Sequence, residues 1–246
     1  DTDVDAVRLG SGPNRIIFIG GLHAGFAPST VELAQQSIDH FTQNPDNIPP
    51  EVTAFFIPLA NPDSEAKGTG AGDGQGLTNA NNVDLNRNWD CNWEQDTSFY
   101  DPLKGEGYGT QGSSESQGAF SEPETQALRD FIVANEPTAV VFWVAPWPGG
   151  LAKAGRCGPT SQVSGPLSLI YGSDAFYSVA DFLDSDDEAR PGQSINWLDA
   201  QGIPSIFVFL PDYNLSGADL ANNLLGIKAV MSACQTGECI QKEEEG

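Results

Sequence analysis

The chain has 246 residues, with 34 acidic side chains against 11 basic ones, so its formal net charge is −23. This charge argues against electrostatic binding to nucleic acids or anionic membranes, because both are polyanions. With only His23 and His40, a zinc site made of three histidines is excluded. No apolar run approaches the roughly 20 residues that cross a bilayer, so we expect no membrane span. The length and the 39% hydrophobic content suit a single domain over residues 1–246.

The first half of the chain predicts a strand, a helix and a second strand. The apolar run 15–20 ends in two glycines and is typical of a buried strand. A helix is predicted over 29–43, with the serine and threonine at its start as caps. The β-branched and aromatic residues of 52–59 predict a second strand. The segment 61–118 is mostly Gly, Asn, Asp, Ser and Thr, and such a long irregular segment is typical of a functional loop.

The second half continues the alternation. A helix is predicted over 121–135 from a capping box, in which Ser121 is the N-cap and Glu124 lies three residues later. The run 138–145 is apolar throughout, which indicates a strand buried on both faces. A last strand is predicted over 205–210, and further helices are predicted over 174–183, 195–201 and 215–232. The pattern predicts an α/β fold with a mixed, mostly parallel central sheet flanked by helices on both faces.

Several short motifs give the chain a family resemblance. GGLHAG follows the first strand, NPD follows the second, VDLNRNW lies in the long segment, and SEPET precedes a helix. In this order they resemble the zinc metallocarboxypeptidases, over residues 15–232, and this resemblance implies their α/β fold. In that family a His-x-x-Glu pair and a histidine after the third strand bind zinc. The metal lowers the pKa of a bound water, and a glutamate in the next strand acts as general base.

The resemblance implies ligand positions that this chain does not fill. His23 matches the first histidine, but Phe26 stands at the glutamate position and Val144 at the third ligand. Phe209 stands at the position of the catalytic glutamate. Because none of these three side chains can coordinate zinc or transfer a proton, we expect no catalytic residue, no bound metal and no cofactor. We also expect Phe26, Val144 and Phe209 to pack together as core.

The remaining motif residues each have two interpretations. His23 is either a remnant zinc ligand or a histidine hydrogen-bonded at the end of a strand, and the loss of its partners favours the second. Asn86 and Arg87 match the residues that bind a peptide carboxylate in the family, whereas Leu77 stands where a second arginine is expected. Arg87 either keeps that role, through two parallel hydrogen bonds, or pairs with Asp84 or another neighbour to order the loop.

The four cysteines predict an extracytoplasmic protein. Cys234 and Cys239 enclose a short loop that suits a local disulfide, and Cys91 and Cys157 would then form the second pair. The family resemblance also supports the pairing of Cys91 with Cys157. The alternative is four reduced, buried cysteines in a cytosolic protein. The start at Asp1, without a leader, is interpreted as a mature chain whose signal peptide has been removed, although an artificially shortened chain would look the same.

Three functions are compatible with the sequence. The first is an inactive carboxypeptidase-fold protein outside the cytoplasm, serving as a structural, self-assembling or binding module, with homo-oligomers or filaments as assemblies. The second is an active zinc carboxypeptidase or amidohydrolase with an atypical ligand set. The third is a binder of peptide C-termini that uses Arg87 without cleaving. Aromatic residues in predicted loops would serve as interface anchors for an assembly: Phe99, Tyr100, Tyr108, Trp147 and Tyr213. The sequon at Asn214 is a candidate glycosylation site.

Overall fold

The computed structural model describes residues 4–68, 70–72, 74–93, 98–101, 106–109, 118–180, 191–236 and 239. Of 98–101 and 106–109 it describes the backbone alone. The acidic run 184–188 and the C-terminal residues 240–246 lie outside the described residues. No helix in the described ranges is both long and apolar enough to cross a membrane.

A mixed sheet of seven strands forms the centre of the fold. The order across the sheet is β1-β3-β2-β6-β9-β7-β8, and β4 pairs with β5 in a separate hairpin. The pairs β1–β3 and β9–β7 are antiparallel, whereas the other pairings in the sheet are parallel. The predicted mixed, mostly parallel sheet is therefore confirmed. The strands are β1 Val7–Gly10, β2 Asn14–Ile19, β3 Val52–Ile57, β4 Ser98–Asp101, β5 Glu106–Gly109, β6 Ala139–Val144, β7 Leu151–Ala154, β8 Ser178–Val179 and β9 Ser205–Phe209.

Helices cover both faces of this sheet. On one face, buried residues of α1, α4 and α6 pack with Ile16, Phe18 and Trp143. On the other face, buried residues of α3 and α5 pack with Phe142 and Phe207. Successive residues of a strand point to opposite faces, so the continuous apolar run of β6 serves both layers. The helices are α1 Ser29–Gln43, α2 Pro62–Lys67, α3 Pro123–Asn135, α4 Gly165–Asp174, α5 Ser194–Ala200 and α6 Gly217–Thr236.

The two predicted helix caps are wrong in detail. The N-cap of α1 is Pro28, and it makes no side-chain capping bond. The N-cap of α3 is Glu122 rather than Ser121, again without a side-chain capping bond. Pro123 fixes the first helical residue, because its ring presets φ and its missing N–H is unsatisfied at that position anyway. The hydroxyl of Ser121 instead donates to Glu122 Oε1 at 2.7 Å.

The helix predicted over 174–183 is also wrong. Helix α4 ends at Asp174, where the predicted helix would begin. Phe176 adopts a left-handed conformation with φ of 57°, and the N–H of Tyr177 donates to the carbonyl of Gly172 at 2.9 Å, which ends the helix. The short strand β8 follows, and residues 181–183 lie outside the described residues.

The segment 61–118 is less irregular than its composition indicates. It contains α2, two 3₁₀ turns at Gly74–Leu77 and Leu85–Arg87, and the β4–β5 hairpin. Phe99 and Tyr100 therefore lie in β4 and Tyr108 in β5, rather than in loops, and their side chains are outside what the structure describes. Strands β1, β7 and β8 were not predicted, because runs of two to four residues give too little periodicity to detect.

Candidate functional site

The carboxyl ends of β2, β6 and β9 form one edge of the sheet. These three strands are adjacent and parallel, so their ends lie side by side. After β3, which pairs on one side of β2, the chain crosses to form β6 on the other side. In open α/β sheets, ligands bind at such a reversal of strand order, beyond the carboxyl ends of the strands. The structure therefore brings the loop after β2, Val144 and Phe209 to the edge where a site is expected.

His23, in the loop after β2, is held by a carboxylate. Its Nε2 lies 2.7 Å from Oδ1 of Asp84, and Asp84 is buried. The same oxygen accepts the N–H of Asn86 at 2.8 Å, which starts the 3₁₀ turn Leu85–Arg87. Asp84 thereby fixes both the turn and the imidazole, with the proton on Nε2 facing the carboxylate.

This contact is common to both interpretations of His23. A histidine that ligates a metal usually donates its second ring N–H to a carboxylate, and a structural histidine does the same. Among the described residues, Nδ1 of His23 has no hydrogen-bond partner. The orientation that a metal-binding histidine requires is therefore present. Whether His23 could bind a metal ion depends on the other ligands around it.

Phe26 is buried in a small apolar cluster with Ala27 and Leu77. Tyr213 and Ala145 pack against this cluster, and the rings of Phe26 and Tyr213 meet edge-on with centroids 5.2 Å apart. Leu77 is the residue at the expected second arginine position, so two replaced positions touch each other. We call Phe26, Ala27, Leu77, Ala145 and Tyr213 the apolar plug.

Tight backbone packing holds the apolar plug in place. The N–H of Gly72 donates to the carbonyl of Phe26 at 2.8 Å, and Ser64 Oγ donates to the carbonyl of Gly76. A Cβ on Gly25 would overlap the carbonyl oxygen of Ser64, and a Cβ on Gly76 would overlap the backbone of Gly25. These glycines therefore let the segment around Gly76 lie directly on the loop after β2.

The expectation that the three replaced positions pack together is wrong. Val144 belongs to the core beneath α3 and α5, and the half-buried Phe209 packs against the same core. The two are paired across β6 and β9 and therefore point to the same face, whereas Phe26 lies in the separate apolar plug. Phe209 also meets the exposed Trp147 edge-on, with ring centroids 6.2 Å apart.

Asn86 and Arg87 are tied to the segment that precedes α5. The side-chain oxygen of Asn86 accepts the hydroxyl of Ser194 at 3.1 Å and its N–H at 3.3 Å. Nη1 of Arg87 donates to the carbonyl of Pro191 at 3.1 Å. The carboxylate of Asp84, which precedes the turn Leu85–Arg87, accepts from His23 and so ties this turn to the loop after β2. Asn86 is 7% exposed, and its Nδ2 has no hydrogen-bond partner among the described residues.

A carboxylate cluster that the sequence did not reveal supports the loop before Asp84. Nδ2 of Asn79 donates to Glu122 at 2.8 Å and approaches both oxygens of Glu124 at 3.2 and 3.3 Å. Asp63 accepts the N–H of Ala80 at 3.0 Å. Burial raises the pKa of Glu124, and the neighbouring Asp63 and Glu122 carboxylates raise it further, against the hydrogen bond from Asn79. The sequence analysis assigned Glu124 to a capping box, and its contact with Asn79 was therefore not predicted.

The residues at the sheet edge do not fit the zinc site that the resemblance implies. His23 and Asp84 are the donors there, and the side chains of Phe26 and Val144 offer none. Across the described part of the chain, no group of three His, Cys, Asp or Glu side chains is placed to hold a metal ion. A three-ligand zinc site with an open position therefore lacks two of its ligands.

Both predicted disulfides are present. Cys91 is joined to Cys157, with 5.6 Å between their Cα atoms, and this bond connects the loop after Arg87 to the segment after β7. Cys234 is joined to Cys239, with 5.0 Å between their Cα atoms. Two disulfides favour an oxidising environment.

A family model described as zinc carboxypeptidase (Peptidase_M14) matches residues 3–144. The chain belongs to the zinc carboxypeptidase family. The matched region of this carboxypeptidase-family chain includes His23, Phe26, Asn86, Arg87 and Val144, and it ends before β9. A comparison with curated proteins gives no match.

Solved structures of similar fold have low sequence identity to this carboxypeptidase-family chain. The murein-tripeptide amidase MpaA of Escherichia coli O157 is 21% identical, with 90% of this chain and 81% of that chain covered and a TM-score of 0.59. Bovine thrombin-activatable fibrinolysis inhibitor, in complex with tick carboxypeptidase inhibitor, is 18% identical, with coverages of 94% and 85% and a TM-score of 0.71. Carboxypeptidase A of Helicoverpa armigera is 17% identical, with coverages of 95% and 65% and a TM-score of 0.66. At these identities the likeness shows the fold.

Proposed function

We propose that this chain is a non-catalytic member of the zinc carboxypeptidase family that acts outside the cytoplasm as a structural, self-assembling or binding module. The observation that carries the proposal is the apolar plug. Phe26, at a position where the family has a zinc-binding carboxylate, is buried against Leu77 and Tyr213. A buried carboxylate without a partner would be destabilising there, whereas the phenylalanine contributes to packing.

The other two positions support the same proposal. Val144 is buried, and Phe209 packs its ring against Trp147 and Phe207. Peptide hydrolysis at a zinc ion needs three protein ligands and a group that accepts a proton from the bound water. His23, oriented by Asp84, could supply one ligand. The hydrocarbon side chains of Val144 and Phe209 supply neither a ligand nor a proton acceptor.

Zinc titration by calorimetry, together with hydrolysis assays on peptides with varied C-terminal residues, tests the proposal. We expect no zinc binding at one ion per chain and no zinc-dependent cleavage, in the wild type and in the variants His23→Ala and His40→Ala. One zinc ion per chain that is lost in His23→Ala and kept in His40→Ala, with cleavage of a peptide, would instead establish an active enzyme with an atypical ligand set.

Binding of peptide C-termini without cleavage is a second candidate. It is favoured by Nδ2 of the buried Asn86, which has no hydrogen-bond partner among the described residues and lies next to Arg87, at a position that matches the family's carboxylate-binding pair. An amide N–H and a guanidinium are suitable donors to a carboxylate. Arg87→Ala should abolish binding of a free-carboxylate peptide, whereas Arg129→Ala, which removes a 30% exposed guanidinium on α3, should not. Equal binding by Arg87→Ala and the wild type would eliminate this candidate.

Self-association and an extracytoplasmic location complete the proposal. The two disulfides support an oxidising compartment. A net charge of −23 makes identical copies repel one another, so assembly would require a surface of low charge and should strengthen with added salt.

A further inference from the structure

The loop over residues 210–216, between β9 and α6, contains the only Asn-x-Ser/Thr sequon of the chain, at Asn214. Enzymes that glycosylate asparagine require this tripeptide with a residue other than proline in the middle, and Leu215 meets the condition. Asp212 extends the motif to Asp-x-Asn-x-Ser. One class of oligosaccharyltransferase also requires an acidic residue at that position, two residues before the asparagine. The loop therefore satisfies both the short and the extended acceptor motif.

The side chain of Asn214 is accessible in the folded chain. Asn214 is exposed, and the hydrogen bond recorded for its Nδ2 is a long one, 3.5 Å to Oδ1 of Asp212. The backbone N–H of Asn214 donates to the same oxygen at 3.2 Å. Ser216, Gly217 and Ala218 are exposed as well, and a Cβ on Gly217 would meet no heavy atom of the described chain within 4 Å. The surroundings thus leave room for a bulky group on the amide nitrogen.

The residues just before Asn214 are fixed on the fold. The ring of Tyr213 packs against Phe26, and the carbonyl of Tyr213 accepts the N–H of Ser29 at 3.1 Å. The hydroxyl of Ser29 donates to the carbonyl of Asp212 at 3.0 Å. A group on Asn214 would therefore be attached one residue from the apolar plug, in the loop that follows the carboxyl end of β9.

Ser216 has a structural role besides its place in the sequon. Its hydroxyl donates to Oδ2 of Asp219 at 2.6 Å and accepts the N–H of Asp219 at 3.1 Å, and the N–H of Ser216 donates to the same carboxylate at 3.2 Å. These reciprocal bonds form a capping box at the start of α6. Capping explains the serine, whereas the exposed side chain of Asn214 has no such role in the fold.

We propose that Asn214 is an N-glycosylation site, which receives an oligosaccharide from a polyprenyl-diphosphate donor. In the transfer, Nδ2 of Asn214 forms a bond to C1 of the first sugar, and the bond between C1 and the diphosphate oxygen breaks. The amide nitrogen loses one proton, and the polyprenyl diphosphate is the leaving group. Because such glycosylation acts on exported chains, this inference rests on the extracytoplasmic location in the proposed function. It is independent of catalysis and of self-association.

Intact-mass spectrometry of the chain, purified from its natural host, tests the proposal. We expect a mass that exceeds that of the disulfide-bonded sequence by a whole number of sugar residues. The excess should be lost completely in Asn214→Gln and kept in Ser216→Thr, which preserves both the sequon and the helix cap. Asp212→Asn should lose it too, because the extended motif is broken. The control Asn222→Gln changes an asparagine of α6 that lies outside any sequon and should keep the full excess. Circular dichroism verifies that each variant folds.

The outcomes separate the site from the location on which it rests. A wild type that is exported with both disulfides but has no added mass would refute the glycosylation and leave the location intact. A wild type that stays in the cytoplasm, with free thiols and no added mass, would refute both. An excess that persists in Asn214→Gln would refute Asn214 as the acceptor, and one that persists in Asp212→Asn would refute the part assigned to Asp212.

Discussion

The ring of Tyr213 meets the ring of Phe26 edge-on, with centroids 5.2 Å apart, at the end of the sheet where the family binds zinc. Phe26 belongs to the loop after β2, and Tyr213 belongs to the loop after β9. The backbone N–H of Ser29 also donates to the carbonyl of Tyr213 at 3.1 Å. The loop after β9 is thus joined to the loop after β2 by an apolar contact and to the start of α1 by a backbone hydrogen bond.

Phe26→Ala should lower the free energy of unfolding by about 3 kcal/mol, because it removes a buried ring and leaves a cavity between Leu77 and Tyr213. The conservative variant Phe26→Leu should cost only about 1 kcal/mol. Urea denaturation measures both. If Phe26→Ala is as stable as the wild type, the plug is not part of the core.

Asp199→Asn should lower the free energy of unfolding by about 3 kcal/mol. The fully buried carboxylate accepts the hydroxyls of Ser161 and Ser164 at 2.8 and 2.7 Å, and the N–H groups of 162–164 as well. An amide would turn donor groups toward these donors. The control Asp212→Asn, on an exposed carboxylate, should change the stability by less than about 0.5 kcal/mol. Thermal unfolding measures both variants. Equal stability of the two would show that the buried hydrogen bonds of Asp199 do not stabilise the fold.

Glu124 should make the stability depend on pH. Burial raises its pKa in the folded state, so the folded chain binds this proton more tightly than the unfolded chain. The contribution of Glu124 is therefore most favourable below the unfolded pKa and is lost as the pH rises through the folded pKa. Relative to the wild type, Glu124→Gln should become more stable between pH 4 and pH 7 in urea denaturation. A difference that is constant across this range, or of opposite sign, would contradict the raised pKa.

The two disulfides should contribute unequally to stability. Cys91 and Cys157 are 66 residues apart, whereas Cys234 and Cys239 are 5 apart. Because a cross-link stabilises mainly by restricting the unfolded chain, the loss of the long loop should cost about 4 kcal/mol and that of the short loop about 2 kcal/mol. Paired alanine variants, measured by denaturation without reductant, test this order. Equal losses would show that native contacts, rather than loop length, dominate.

Much of the fold could be predicted because its signals are local. The apolar strands β2, β3, β6 and β9 were predicted within about two residues of their bounds, since burial on both faces leaves continuous hydrophobic runs. The helix at 174–183 was predicted wrongly because α4 ends there, at the left-handed Phe176. A phenylalanine in the sequence gives no sign of a left-handed conformation.

The candidate site could also be predicted only in part. The motifs predict that Phe26 and Val144 stand at replaced ligand positions, and the fold places Phe26 in the loop after β2 and Val144 at the end of β6. Their packing partners could not, because Tyr213 is far from Phe26 along the chain and no periodicity links the two. The contact of Asp84 with His23 spans 61 residues and was missed for the same reason.

The short C-terminal disulfide has a practical consequence for labelling. The sulfur of Cys239 is buried and lies 4.0 Å from the carbonyl oxygen of Thr138, just before β6 begins, whereas Val144 ends that strand at the candidate site. The length of β6, about 20 Å, separates the two ends. A fluorophore or surface tether joined directly after Cys239 would therefore be attached at the end of β6 that is opposite the candidate site.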